Sequence, residues 1–243
     1  MDKIKGVILD YGGTLDSNGV HWAEVLWKQY ELCNLPVSKE NFREAYVYAE
    51  RSMATQLLVK SDDDFLRVLI IKVRLQLQYL ISHEKLDGEI YPIESYVGKI
   101  AQMGYNVAVL CVKSAEKIVK IAKDKYDLAL VSNFYGNIHS ILADFGLLCY
   151  FKAVIESAVV GVRKPNPAIF ALGVEALGLQ PKDVLVVGDS YEKDIVPAAA
   201  LGCHTIWLKG VGWNDDKIVD ETLPDAIITS FDQLINAIEK IHK

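Results

Sequence analysis

No two of the four cysteines, Cys33, Cys111, Cys149 and Cys203, stand close together in the 243-residue chain. Disulfide frameworks and zinc sites draw on clustered cysteines, so the scatter excludes a cysteine-built scaffold and favours reduced, buried thiols. Basic excess is lacking too. Lysines and arginines number 26 against 32 acidic residues, a formal charge of −6. A phosphate backbone needs a basic footprint, so nucleic acid is not expected as the partner. Long apolar runs are also missing. The run after Lys5 stops at Asp10, too short for a signal-peptide core. The greasiest later stretch, residues 68–81, is interrupted by Lys72 and Arg74, which argues against a membrane span. Neither an internal repeat nor a low-complexity tract is present. With 51% hydrophobic and 24% charged residues, the chain reads as globular and cytoplasmic, with no membrane partner.

What is present is organised by period. Gly6-Val7-Ile8-Leu9 is a short buried strand ending in Asp10. Over residues 20–82 the period turns helical: Trp22, Val25, Leu26 and Tyr30 share one helix face. A break at Asn34-Leu35-Pro36 follows, and Ser38 is placed to cap a second helix running to Leu58. Ser61 with Asp64 fits a capping box. The third helix that it opens has Phe65, Leu69, the aliphatic stem of Lys72, Leu75 and Leu80 on its apolar side. Three helices without a strand make a separate bundle over residues 16–91. Its aromatic residues Trp22, Trp27, Tyr46 and Tyr48 read as core or as a dimer face, leaving monomer and homodimer both open.

From residue 92 onward strands and helices alternate. Helix is expected over 93–103, strand over 106–112 and helix over 114–125. Strands follow at 128–131, 153–155, 184–187, 205–208 and 226–228, separated by helices over 138–145, 166–177 and 195–201 and followed by one from residue 231. Alternation of this kind implies a parallel sheet covered by helices on both faces. The fold class is therefore α/β: a Rossmann-like three-layer core formed by residues 1–15 and 92–243, with an all-α helical cap inserted at 16–91. The two crossings, residues 16–19 and 86–92, carry glycine or turn residues suited to a hinge.

Four strand ends deliver polar groups to one sheet edge, where open α/β sheets bind ligands. They are Asp10, opening into Tyr11-Gly12-Gly13-Thr14-Leu15-Asp16; Ser132-Asn133, after Leu130-Val131; Lys164, in Arg163-Lys164-Pro165; and Gly188-Asp189-Ser190, with Asp194 five residues beyond Asp189. Taken singly, the last three suit a turn, a solvated lysine and a helix start. In this order they resemble the four motifs of the haloacid dehalogenase-like hydrolases, across the whole chain and including a cap between the first and second motifs.

The resemblance implies a hydrolase acting on a small phosphorylated substrate. Asp10 is the implied nucleophile, with Ser132 and Lys164 completing the catalytic set. Gly13, Ser132, Asn133 and Lys164 are the implied substrate contacts. Mg²⁺ is the implied cofactor, held by Asp10, the Gly12 carbonyl, Asp189 and Asp194, with Asp194 orienting metal-bound water or Lys164. Such a cation takes oxygen ligands and shares phosphate oxygens readily.

The chain departs from the family pattern at Gly12, where the phosphatases carry the aspartate that protonates the leaving group. That assistance is worth about 10²–10⁴-fold. Its absence leaves three readings: a substrate with a good leaving group, another group in the aspartate's place, or an attenuated protein that binds a phosphorylated ligand. Asp16 belongs more naturally to the hinge than to that vacancy. A phosphonatase-like C–P hydrolase is a further alternative. It needs a cap lysine of lowered pKa, for which Lys39, Lys60, Lys72 and Lys85 offer no recognisable apolar context.

Overall fold

A computed structural model describes residues 4–212 and 219–241. Six strands form one wholly parallel sheet: β1 (Gly6–Leu9), β2 (Asp127–Ser132), β3 (Ala153–Glu156), β4 (Val184–Gly188), β5 (His204–Leu208) and β6 (Ala226–Ile228). Their spatial order is β3-β2-β1-β4-β5-β6. The order reverses at β1, whose register pairs Leu9 with Leu130 on one side and with Val187 on the other. Asp10 therefore leaves the sheet at its centre, between the ends of β2 and β4.

The central strand is apolar on both faces because both are covered. Val7 and Leu9 point into one large cluster with the helices α1 (Trp22–Leu32), α3 (Phe65–Ser82) and α4 (Ile93–Lys123). Ile8 points the other way, among Ile169, Phe170 and Val174 of α7 (Ala168–Leu177), once α5 (Ile138–Asp144) and the four-residue α6 (Ser157–Val160) have been passed. After α7 come α8 (Val196–Leu201) and α9 (Leu234–Ile241). This is the three-layer core that strand–helix alternation implies.

Helices α1, α2 (Lys39–Thr55) and α3 follow β1 without an intervening strand. Ser38 caps α2 as expected, its side chain accepting the Asn41 N–H. At α3 the expected capping box is corrected: Asp64, not Ser61, is the N-cap and accepts the Arg67 N–H at 2.7 Å. Both residue types cap well, and only the start of the helix decides between them.

The larger correction concerns residues 106–112, expected as a buried strand. They lie inside α4, a single helix of 31 residues, which at about 1.5 Å per residue is roughly 46 Å long. A short apolar run cannot be assigned by its own period. The wider pattern decides it. Gly104, Ala108, Val112, Ala115, Val119 and Ala122 recur every three or four residues and are buried, whereas Leu110 in the middle of the run is 70% exposed.

All four thiols are free, as expected, but only Cys33 and Cys203 are buried; Cys149 is exposed. No helix among the described residues is long and apolar enough to cross a membrane.

Candidate active site

A cavity of about 770 Å³ opens at the carboxyl ends of β1, β2 and β4, beneath α2 and α3. Asp10, Gly12, Gly13, Ser132, Asn133, Lys164, Asp189 and Asp194 all line it. The fold thus brings together every residue that the four motifs nominate.

Asp10 is fixed by its own backbone, whose N–H donates to the Val187 carbonyl at 3.0 Å. The chain then turns sharply: the Leu15 N–H returns to the Tyr11 carbonyl, and the Gly13 N–H donates to Asp16 Oδ1 at 2.8 Å. Gly13 has φ +95°, and a Cβ there would collide with the Asp189 carboxylate. Only glycine fits. Gly12 differs: no atom lies within 4 Å of where its Cβ would be.

Lys164 is the centre of the polar group. Its ammonium donates to Asp10 Oδ1 and to Asp194 Oδ1, both at 2.7 Å, and only 3% of its side chain is exposed. Burial alone would lower its pKa, but the Asp10 and Asp194 carboxylates overcome that and hold it above the ordinary value. Asn133 positions the lysine, accepting the Lys164 N–H at 2.9 Å and donating to the Lys164 carbonyl at 3.1 Å. Its amide is thereby turned toward the backbone of Lys164. Ser132, the last residue of β2, is buried at the cavity wall.

Asp194 lies in a wide helical turn, Tyr191–Ile195, that precedes α8. It also accepts the Ser190 N–H at 3.0 Å. Burial pushes its carboxyl up and Lys164 pulls it back, leaving it at about 6. Asp189 is held from behind by the indole N–H of Trp207, which donates to its carbonyl at 2.8 Å. Burial and the neighbouring Asp10 and Asp194 carboxylates raise its pKa well above the usual range. Carboxylate oxygens of Asp10, Asp189 and Asp194 lie within 4.8 Å of one another, so this cluster is able to hold a metal ion.

Thr14 joins the two halves of the group. The Asp189 N–H donates to its Oγ1 at 3.1 Å, and its hydroxyl stands 3.2 Å from Asp189 Oδ1 and 3.4 Å from Asp10 Oδ2. Sequence reasoning gave Thr14 no role, although the motif containing it was the available signal. Asp16, read from sequence as part of the hinge, lies buried just past the turn. Its two oxygens accept from Gly13 N and from the Trp22 indole N–H, each at 2.8 Å, tying the turn to α1. Burial raises its carboxyl to about 7 despite those bonds.

The helical wall of the cavity was less legible. Lys72, read from sequence as an aliphatic stem, is buried there and paired with Glu50 at 2.6 Å. Tyr135, two residues beyond Asn133, donates to Glu50 Oε2 at 2.7 Å. Burial opposes the charge on Glu50, but Lys72 and the hydrogen bonds from Lys72, Tyr135 and Tyr46 outweigh it and hold the carboxyl at about 2. Burial likewise opposes the charge on Lys72, yet Glu50 keeps its pKa well above ordinary. His21 also lines the cavity, its Nδ1 accepting the Ala23 N–H at 3.1 Å. Burial lowers it to about 4, so at neutral pH the ring is uncharged with its proton on Nε2.

The sequence model of the haloacid dehalogenase-like hydrolases matches residues 4–202. The chain belongs to that family. Among similar proteins, a haloacid dehalogenase-like hydrolase domain-containing protein 3 of Mus musculus is 33% identical over 46% of this chain and 45% of its own. The chain spans about half the length of this relative and its Bos taurus and Danio rerio counterparts, at 45%, 45% and 43%. A phosphoglycolate phosphatase of Escherichia coli is 27% identical, covering 99% of this chain and 95% of that one. Solved structures share the fold, two of them as follows. A dehalogenase with an intermediate complex has a TM-score of 0.63 at 15% identity, covering 97% of both chains. The magnesium-bound HAD-hydrolase YfnB of Bacillus subtilis has 0.57 at 18%, covering 98% and 99%.

Proposed function

We propose that this family member is a Mg²⁺-dependent phosphohydrolase that uses Asp10 as nucleophile on a small phosphorylated substrate. The observation that carries the reading is the charge count at the sheet edge. Three carboxylates cluster, two of them buried, around one ammonium that donates to Asp10 and Asp194, and every candidate ligand atom is oxygen. Such a set suits a hard cation. Asp10 and Asp189, with the Gly12 carbonyl and Asp194 beside them, are the residues that would hold Mg²⁺. The ion would offset the negative charge of carboxylate and phosphate together.

In this reading a carboxylate oxygen of Asp10 bonds to phosphorus as the ester P–O bond breaks, and the leaving oxygen takes a proton from water. Water then attacks phosphorus and displaces Asp10, releasing phosphate. Lys164 neutralises Asp10 and the incoming phosphoryl oxygens, Asn133 holds Lys164 in place, and Asp194 orients its ammonium. Ser132 and Gly13 stand at the cavity wall to meet the phosphoryl group. The full-length similarity to a phosphoglycolate phosphatase supports the phosphate chemistry.

A phosphonatase-like reaction is disfavoured. A Schiff-base lysine must be neutral to attack a carbonyl, and Lys72 is held protonated by Glu50. The attenuated reading keeps one specific observation in its favour, the open space at Gly12. Assays with acetyl phosphate and p-nitrophenyl phosphate, with Mg²⁺ or with EDTA, test the proposal. Turnover that needs Mg²⁺ and disappears in Asp10→Asn is expected. Mg²⁺ binding without turnover of either ester would select the attenuated reading.

A further inference from the structure

Glu50 and Lys72 form a buried pair whose members are not equally hidden. Only 8% of the Lys72 side chain is exposed, against 34% of Glu50, and both line the cavity. The ammonium also stands 5.6 Å from the ring centres of Tyr46 and of Tyr135. Lysine is thus enclosed by one carboxylate and two aromatic rings, and the carboxylate is the more accessible member. Glu50 Oε1 takes the Lys72 ammonium and Oε2 the Tyr135 hydroxyl. Tyr46 also hydrogen-bonds the carboxylate; with two acceptor positions on each oxygen, one remains for a donor arriving from the cavity.

We propose that Glu50, backed by Lys72 and Tyr135, selects the leaving group of the substrate, admitting hydroxyl- or amine-bearing groups and rejecting carboxylates. The inference rests on the phosphohydrolase reading, because it assigns the opposite wall of the same cavity. A carboxylate brought against Glu50 meets like charge in a desolvated pocket, and the ammonium beside it, Lys72, is already paired. Like-charge juxtaposition of that kind is a strong rejecting element. A hydroxyl finds an acceptor in the same place. This predicts that the chain differs in preference from a relative whose substrate carries a carboxylate.

The test uses pairs of esters differing only in that end group: 3-phosphoglycerate against glycerol 3-phosphate, and 6-phosphogluconate against sorbitol 6-phosphate. Two chain lengths allow for the unknown reach from Asp10 to Glu50. The hydroxymethyl member of at least one pair should be favoured about tenfold or more in kcat/KM, and Glu50→Gln should shrink that ratio several-fold. Removing one partner of a buried pair can unfold a protein, so the double variant Glu50→Gln/Lys72→Met, which removes both charges, should shrink it too. Binding of the same four esters to Asp10→Asn, measured by calorimetry, reads the wall without turnover. Preference for hydroxymethyl in binding with no turnover in the wild type would overturn the hydrolase reading and leave the selectivity assignment standing. Equal or better use of the carboxylate esters, a ratio unmoved in the folded variants, or no binding of any ester would overturn the assignment.

Discussion

On the sheet side of the cavity one ammonium, Lys164, stands among Asp10, Asp189 and Asp194; on the helical side one ammonium, Lys72, stands against Glu50 alone. Both lysines are buried and both are held protonated by their neighbours. The difference lies in what is left over. The sheet side retains surplus negative charge that burial makes costly, seen in the raised carboxyls of Asp189 and Asp194, and the proposed Mg²⁺ would offset it. The helical side is balanced, and a balanced pair needs no guest to be stable. In the proposed reading the unbalanced cluster is where chemistry is done, and the balanced one is where shape and hydrogen bonding discriminate.

The sharpest break of that comparison is Asp10→Asn. It should reduce turnover of p-nitrophenyl phosphate by roughly 10³-fold or more, while Glu50→Gln should change the preference between esters far more than the rate on that non-physiological one. Steady-state kinetics on both variants decide it.

Next in size is Lys164→Met. Two carboxylates would lose the cation buried between them, a loss of about 3–5 kcal/mol when one partner of a buried pair is removed. Chemical denaturation should show that loss, and added Mg²⁺ should recover more stability in the variant than in the wild type. An unchanged midpoint would mean that Asp10 and Asp194 do not depend on the lysine.

The two neighbouring glycines give a finer comparison. Gly12→Asp has space for its side chain and should raise turnover of alkyl phosphates by about 10²-fold through restored proton transfer, with little change for acetyl phosphate. Gly13→Ala should instead lose about 1–2 kcal/mol from the left-handed backbone alone, and more because its methyl group displaces the Asp189 carboxylate. Melting temperatures and Mg²⁺ calorimetry on the two variants should diverge. Equal behaviour would mean that the turn is looser than its geometry.

The smallest effect expected is on acid stability. The Glu50 carboxyl is held at about 2, below its ordinary 4.5, with burial opposing and Lys72 prevailing. A depressed carboxyl stabilises the fold above its unfolded pKa and loses that contribution as the pH falls through its folded one. The wild type should therefore lose stability between about pH 4.5 and pH 2 more steeply than Glu50→Gln/Lys72→Met. Parallel melting curves across that window would mean the pair adds nothing.

The order of the motifs made the sheet side readable because each strand end must reach the same edge of a parallel sheet. Asp10, Ser132 and Asp189 stand at or just past the ends of β1, β2 and β4, whereas Lys164, expected at a strand end, lies eight residues beyond β3, past α6, in a proline loop. The helical side had no such rule. Lys72 sits at an apolar helix position, where a long aliphatic stem suffices to explain it, and Glu50 and Tyr135 come from separate parts of the chain. Nothing local announces that three such residues will meet. Residues 106–112 failed for a related reason: a run of Val, Ala, Leu and Cys fits a strand when read alone, and only the spacing of small residues from Gly104 to Ala122 shows that it continues a helix.

That continuous helix bears on how the protein could be re-engineered. Gly104, the twelfth of the 31 residues of α4, packs against Trp22 and Leu26 of α1 and Leu69 of α3, and one apolar cluster runs from these cap residues through Val97, Ile100 and Ala101 to Ala115, Val119, Ala122, β1 and β2. A graft that exchanged residues 16–91 as a cassette would leave the first half of α4 behind, with Val97, Ile100 and Ala101 facing a foreign bundle. A transplantable unit has to carry its own share of that helix, so the junction belongs inside α4, beyond Gly104, and not at the proline before it.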